Sequence, residues 1–274
     1  MKYWTEYKGH DVEILGRTKK VDNTIYTFDI ETTSYLVLGN RVISARDYQT
    51  LSDEEQEDCK KQACMYVWQF SVNDQVYYGR TWVELKLFLD ALEKNDNSKK
   101  IVFIHNLSFE FQALWSVLRI KSVMSRKSRK LMTAQLEDYD IELRCTMMMS
   151  NAKLEKLPDL YQLPVRKKVG DLDYNKIRVP HIEDPKNGLT DTELAYCYND
   201  VKGLSEAIRD RLEKDRYNIA TIPLTSTGYV RKDTQRSMNA NTKNRGRFQD
   251  TKLTPNLYRL CRAAFRGGNT HANA

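Results

Sequence analysis

Tyr26-Thr27-Phe28-Asp29-Ile30-Glu31-Thr32-Thr33-Ser34 is the stretch on which the fold turns, with two carboxylates two residues apart in a run otherwise apolar or β-branched. Successive side chains of a strand point to opposite faces, so Asp29 and Glu31 share one face and Phe28 and Ile30 the other. Like charges at that range raise each other's pKa. They are tolerated when one protonates, when a cation neutralises them, or when both are well solvated. A divalent metal site and a solvated strand end are the two readings, and partners elsewhere in the chain decide between them.

Working outward, residues 11–15 and 24–31 read as strands, and 35–45 as a hairpin around Gly39-Asn40. The charged stretch 46–62 reads as a surface insertion with weak helical character. Residues 64–72 and 75–78 are aromatic and β-branched runs split by Asn73-Asp74, a hairpin signal. Residues 82–93 carry apolar side chains at helical spacing. A buried-type strand at 100–104 runs into His105-Asn106-Leu107-Ser108 and a helix over 109–118. Strands follow at 129–135 and 139–147, then a short helix near 154–160. Thr190-Asp191-Thr192-Glu193 is a capping box that opens a long helix, with Leu194, Cys197, Val201, Leu204, Ile208 and Leu212 as its core stripe. Tyr196 and Asp200, one turn apart, lie at the edge of that stripe. Beyond residue 215 the pattern weakens, and 217–256 reads as a linker or irregular arm. Strands and helices interleave without repeats, which predicts an α/β domain built on a mixed sheet.

The chain has 274 residues, 41% apolar and 30% charged, enough for a full core and either one domain with an appendage or two domains. No apolar run approaches the ~18 residues of a membrane span, and the N-terminus lacks the apolar centre of a signal peptide, so an intracellular, cytoplasmic protein is expected. Five cysteines at irregular spacing predict reduced thiols rather than disulfides or a zinc site. The net charge of +7 is uneven: from Arg216 onward eleven basic residues face two acidic ones, a local +9 that leaves −2 for the rest. Basic charge so concentrated fits either a polyanion partner, most simply nucleic acid, or a solvated tail.

Three short constellations follow in order: TFDIETTS (27–34), FIHNLSFEFQAL (103–114) and YCYNDV (196–201). Together they resemble the three motifs of the DEDD-type 3′–5′ exonucleases, and the fuller context is similar to the exonuclease domain of protein-primed family B DNA polymerases of phages and linear plasmids. GDLDY (170–174) resembles the run between that family's second and third motifs. AFRGG (264–268) resembles the element that joins its exonuclease and polymerase domains.

The resemblance implies an RNase H-like α/β domain over residues 1–215, with a mixed sheet flanked by helices, and a C-terminal basic arm over 216–274 leading toward a polymerase domain. It implies a catalytic set of Asp29, Glu31, Glu110, Tyr196 and Asp200, of which Asp29, Glu31 and Asp200 ligate two Mg²⁺ or Mn²⁺ ions, with Asp29 bridging. A tyrosine titrates near ~10 and is a poor base at neutral pH, so Tyr196 is expected to hold the attacking water by its hydroxyl. The implied grip on a single-stranded DNA 3′ end comprises Thr32, His105, Asn106, Phe109, Leu154, Lys168, Tyr174, Arg266, Gly267 and Gly268. Phe109 stacks on a base, while Thr32 and Asn106 donate or accept hydrogen bonds. For His105 a structural role is the equal alternative.

Departures from the pattern accompany the match. Glu110 stands where the family has Asp. Val169 takes the place of a phosphate-contacting Lys, with Lys168 one residue earlier as its substitute, and Lys153 precedes Leu154 where the family has Ser or Thr. The residues after Gly268 leave no room for palm carboxylates, a thumb or a terminal-protein-binding insertion. Nucleotide addition is therefore not expected from this stretch alone. A fragment, a truncated gene or the N-terminal part of a split polymerase is expected, its partners being a polymerase domain or subunit and a terminal protein. The rival expectation is a catalytically weak module of the same fold that binds single-stranded DNA or a polymerase subunit.

Overall fold

The computed structural model describes the chain except residues 18–19, 44, 95–96, 164–188, 242–245, 248–249, 251 and 265–274. Its strands are β1 (Lys2–Tyr3), β2 (Ile14–Leu15), β3 (Val21–Asp22), β4 (Tyr26–Leu38), β5 (Arg41–Ile43), β6 (Lys60–Val72), β7 (Gln75–Gly79), β8 (Lys100–Ile104), β9 (Ile120–Lys127), β10 (Lys130–Leu136) and β11 (Ile141–Cys145). Its helices are α1 (Ala45–Tyr48), α2 (Asp53–Asp58), α3 (Trp82–Glu93), α4 (Leu107–Leu114), α5 (Thr146–Ser150), α6 (Leu157–Tyr161), α7 (Asp191–Asp215), α8 (Ser226–Asn239) and α9 (Pro255–Ala264).

Nine of the strands form one mixed sheet in the order β1-β7-β6-β4-β8-β11-β10-β9, with β5 also paired to β4. Its centre is parallel: β8 runs with β4 on one side and with β11 on the other. The expected mixed α/β architecture is therefore present, and the two carboxylates of β4 sit near the middle of the sheet.

Alternation along β4 divides its side chains as the sequence predicts. Phe28 and Ile30 enter the main core with Trp68, Phe70, Val102, Ile104 and the buried faces of α3 and α4. Each such side chain contributes roughly 1.5–3 kcal/mol of burial. The opposite face receives α7, where Tyr196 and Cys197 pack against Tyr66 and Val67. Glycine is required at position 79, because a Cβ there would lie 2.5 Å from the Trp68 ring. That ring is itself fixed by donating from Nε1 to the Thr81 carbonyl at 3.0 Å.

Helix starts follow the capping signals. Glu193 N donates to Thr190 Oγ1 at 3.3 Å while Glu193 Oε2 accepts from Thr190 N at 2.9 Å, the reciprocal box expected at the head of α7. Three features differ from the sequence reading. Helix α4 begins at Leu107 rather than 109, because Asn106 takes a left-handed φ of 61° and starts the turn at once. Strand β9 was not expected, since exposed basic residues without apolar alternation carry no strand signal and only pairing with β10 orders them. The stretch read as an irregular arm holds helix α8, whose backbone bonds form without a buried stripe, Tyr229 being its one buried residue.

The contacts divide the chain into two compact units, Met1–Ser226 and Thr227–Ala274. The first holds the whole sheet and extends past α7: Arg144 Nη1 donates to the Ile219 carbonyl at 3.1 Å, and Ile219 and Ile222 are buried. Among the described residues no helix is long and apolar enough to cross a membrane, and all five cysteines are free thiols.

Candidate metal centre

Three elements bring acids to the C-terminal end of the parallel strands. On β4, Asp29 lies one residue past the Phe28–Ile104 pair, so it faces the exit of β8. The β4–β6 register then shifts: Glu31 pairs with Val67 but Thr32 with Met65, leaving Tyr66 as the extra residue of a bulge. Bulges re-aim side chains, and this one immediately follows Glu31. At the exit of β8 the left-handed Asn106 turns the chain into α4, whose first turn carries Glu110. Helix α7 contributes Tyr196 and Asp200, both buried.

The docking of α7 is specified by bonds from residues far apart in sequence. Thr27 Oγ1 donates to the Val201 carbonyl at 2.9 Å, and Ser205 Oγ donates to the Asn73 carbonyl at 2.9 Å. Lys202 and Arg209 both reach Asp74 at the β6–β7 turn, at 2.6 and 2.9 Å. Burial alone would raise the Asp74 carboxyl, but these two cations outweigh it and hold it below the ordinary carboxylate range.

With α7 so held, carboxylate oxygens of Asp29, Glu31 and Asp200 all lie within 4.8 Å of one another. Asp200 is only 2% exposed, so its charge has lost most of its water. Glu110, 3% exposed, shares a hydrogen bond with Asp29. Burial first, and then the charge of Asp29, pushes its carboxyl well above the usual range. Its Oε2 is buried without a hydrogen-bond partner. The neighbouring Cys197 thiol is likewise pushed up, by burial and then by Glu31, Asp29 and Asp200. Cys197 is not among the residues whose ligand atoms converge.

A cluster of hard carboxylate oxygens suits Mg²⁺ or Mn²⁺ rather than a thiolate-seeking metal. Asp29, Glu31 and Asp200 are the residues that could hold it.

A cleft of about 340 Å³ opens over the cluster. Asp29, Glu31, Glu110 and Tyr196 form its acidic floor, and Thr32, His105, Asn106, Phe109 and Leu154 its sides. Phe109 is 48% exposed, an aromatic face turned to solvent. His105 is buried and its Nδ1 hydrogen-bonds Thr146 Oγ1 at 3.0 Å, which ties α5 to the strand exit. The remaining expected contacts, Lys168, Tyr174, Arg266, Gly267 and Gly268, lie outside the described residues.

Sequence reasoning missed Gln69. Fully buried on β6 and directly opposite Asp29 in register, it donates from Nε2 to Asp29 Oδ2 at 2.8 Å. No local signal marks it, since the Asn73-Asp74 turn pairs position 69 with Tyr78, and its pairing with Asp29 comes only from the long-range β4–β6 ladder.

No protein-family profile matches the chain, and no curated protein matches it. Solved structures do. Phi29 DNA polymerase complexed with single-stranded DNA superposes with a TM-score of 0.59 at 17% identity, over 91% of this chain and 41% of that one. Its ternary complex with primer-template DNA and incoming nucleotide substrates gives 0.57 at 17% identity, over 91% and 40%. The chain thus spans about two fifths of the length of the structures it matches. In backbone architecture, then, this chain is similar to one part of Phi29 DNA polymerase.

Proposed function

We propose that the chain is the 3′–5′ exonuclease portion of a protein-primed family B DNA polymerase, an RNase H-like domain that removes the 3′-terminal nucleotide of single-stranded or frayed DNA. The observation that carries this reading is the convergence of Asp29, Glu31 and Asp200 oxygens within 4.8 Å, the first two of these residues lining an open cleft. The likeness to Phi29 DNA polymerase, one structure of which holds single-stranded DNA, supports it.

Water attacks the terminal phosphorus, the P–O3′ bond breaks, and a nucleoside monophosphate leaves while the shortened strand keeps a new 3′ hydroxyl. Asp29, Glu31 and Asp200 would hold divalent cations, which when bound would supply charge stabilisation to the departing oxygen and a lowered pKa to the water. Tyr196 orients that water through its hydroxyl, and Gln69 holds the Asp29 carboxylate in one rotamer. Phe109 stacks on the terminal base, with Thr32 and Asn106 hydrogen-bonding the sugar and backbone. Glu110, hydrogen-bonded to Asp29, steadies that carboxylate beside the cluster.

The test is degradation of a 5′-labelled single strand with Mg²⁺ or Mn²⁺ by the wild type and by Asp29→Ala/Glu31→Ala. The wild type shortens the strand from its 3′ end only with metal, and the double variant does not. Equal rates in the two proteins, or cleavage indifferent to metal, would sink the assignment.

A further inference from the structure

The hairpin of β9 and β10 carries an unneutralised basic tip. Residues 121–130 are all exposed and include Lys121, Arg126, Lys127, Arg129 and Lys130 with no acid among them. None of the five makes an ion pair or side-chain hydrogen bond among the described residues. At the base of the same hairpin, by contrast, Arg119 is bound by Asp138 at 2.7 Å and Glu137 at 3.5 Å.

Topology aims this tip at the cleft. Strand β11 runs parallel to β8, and the pair ends together at Cys145 and Ile104, where the acids stand. Strand β10 is antiparallel to β11, so its first residues, Lys130 and Leu131, emerge at that same edge. There Leu131 N donates to Ser108 Oγ at 3.0 Å, fastening the hairpin to the first turn of α4 between Asn106 and Phe109. The cations thus stand beside the side wall of the cleft.

An acidic floor repels a phosphate backbone, and cations bound at the floor answer only for the phosphate being cut. The phosphates upstream of it need positive charge from another source. We propose that Arg126, Lys127, Arg129 and Lys130 grip the backbone of single-stranded DNA a few nucleotides upstream of the 3′ end that enters the cleft. This rests on the exonuclease reading for the direction of the strand. Its physical content is a phosphate-binding surface on a hairpin already ordered before DNA arrives.

Charged residues on an exposed edge strand also discourage pairing with a second chain, and β9 is such an edge. The two roles separate experimentally. In the full chain, Arg126→Gln/Lys127→Gln/Arg129→Gln/Lys130→Gln is compared with the wild type by fluorescence anisotropy on labelled single-stranded DNA across a salt series in EDTA. Expected are an unchanged melting temperature, weaker binding whatever the base sequence, and a plot of log K against log salt shallower by about 2 to 3, at ~0.7 per single-strand phosphate released. With metal, KM for a long strand rises, while a dinucleotide too short to reach the hairpin is cleaved as by the wild type.

An unchanged salt slope overturns the proposal, whether or not the variant self-associates; if both proteins still cleave, the exonuclease reading survives it. A shallower slope with no cleavage by either protein upholds the hairpin as a DNA grip and removes the nuclease.

Discussion

Thr27 Oγ1 donates to the carbonyl of Val201, 174 residues later, at 2.9 Å, so the strand that carries Asp29 and Glu31 is bonded directly to the helix that carries Asp200. Both groups are buried, and the bond lies one residue from Asp200 on one side and two from Asp29 on the other. Thr27→Val keeps the shape and removes the donor, at a cost of about 1 kcal/mol. For a domain of this size that lowers the melting temperature by roughly 2–4 °C. Scanning calorimetry checks it, and an unaltered melt would mean that the bond holds nothing in register.

Gln69 makes a second, more local demand. Its amide is the donor to Asp29 Oδ2, so Gln69→Leu frees the carboxylate to rotate. A hydrogen bond to a charged group is worth about 1.5–3 kcal/mol, and losing it is expected to lower kcat roughly tenfold or more with KM nearly unchanged. Gln69→Asn, a shorter donor, should recover part of the rate. A rise in KM without loss of kcat would show that Gln69 serves substrate binding instead.

Metal dependence can be read without turnover. Cations at tenfold their dissociation constant add about 1.4 kcal/mol to stability by mass action, so the wild-type melting temperature should climb as Mn²⁺ is titrated. In Asp200→Asn the climb disappears, and the metal-free protein melts higher than the wild type because one of the clustered like charges is gone. Superimposable titrations of the two proteins would exclude Asp200 as a ligand.

Phe109 offers nearly half its surface to solvent at the cleft wall, where it contributes little to the core. Phe109→Ala is expected to weaken single-stranded DNA binding by about 1–3 kcal/mol and to leave the melting temperature in place. Anisotropy on the metal-free protein measures the first and calorimetry the second.

At the opposite end of β4, Asp22 is fully buried. Burial alone would raise its carboxyl, but hydrogen bonds from His10, Tyr26 and Thr24 outweigh that and hold it below the ordinary value. A depressed carboxyl adds stability that is complete above the unfolded-state pKa, near ~3.9, and is lost as pH falls through the lower folded-state value. Acid unfolding of the wild type should therefore steepen below about pH 4. Asp22→Asn should be less stable at neutral pH and lose less on acidification. Parallel stability curves for the two proteins would show that another group governs acid lability.

Much of this molecule was determined by the sequence alone. Alternation in 26–34 assigned Phe28 and Ile30 to the core and Asp29 and Glu31 to the other face, and the Thr190 and Glu193 box marked the first turn of the last long helix. The Asn73-Asp74 turn joined two strands. Each is decided within a few residues, by strand pleat, cap geometry or turn conformation, so each is legible locally. The tertiary structure decided what depends on docking. Asp200 meets Asp29 and Glu31 because Thr27, Asn73 and Asp74 hold α7 in register. Gln69 reaches Asp29 by cross-strand pairing. Glu110 is pushed above the usual carboxyl range because α4 buries it against Asp29. Strand β9 exists only through its partner, since exposed basic side chains gain nothing from strand geometry until a neighbour supplies the hydrogen bonds.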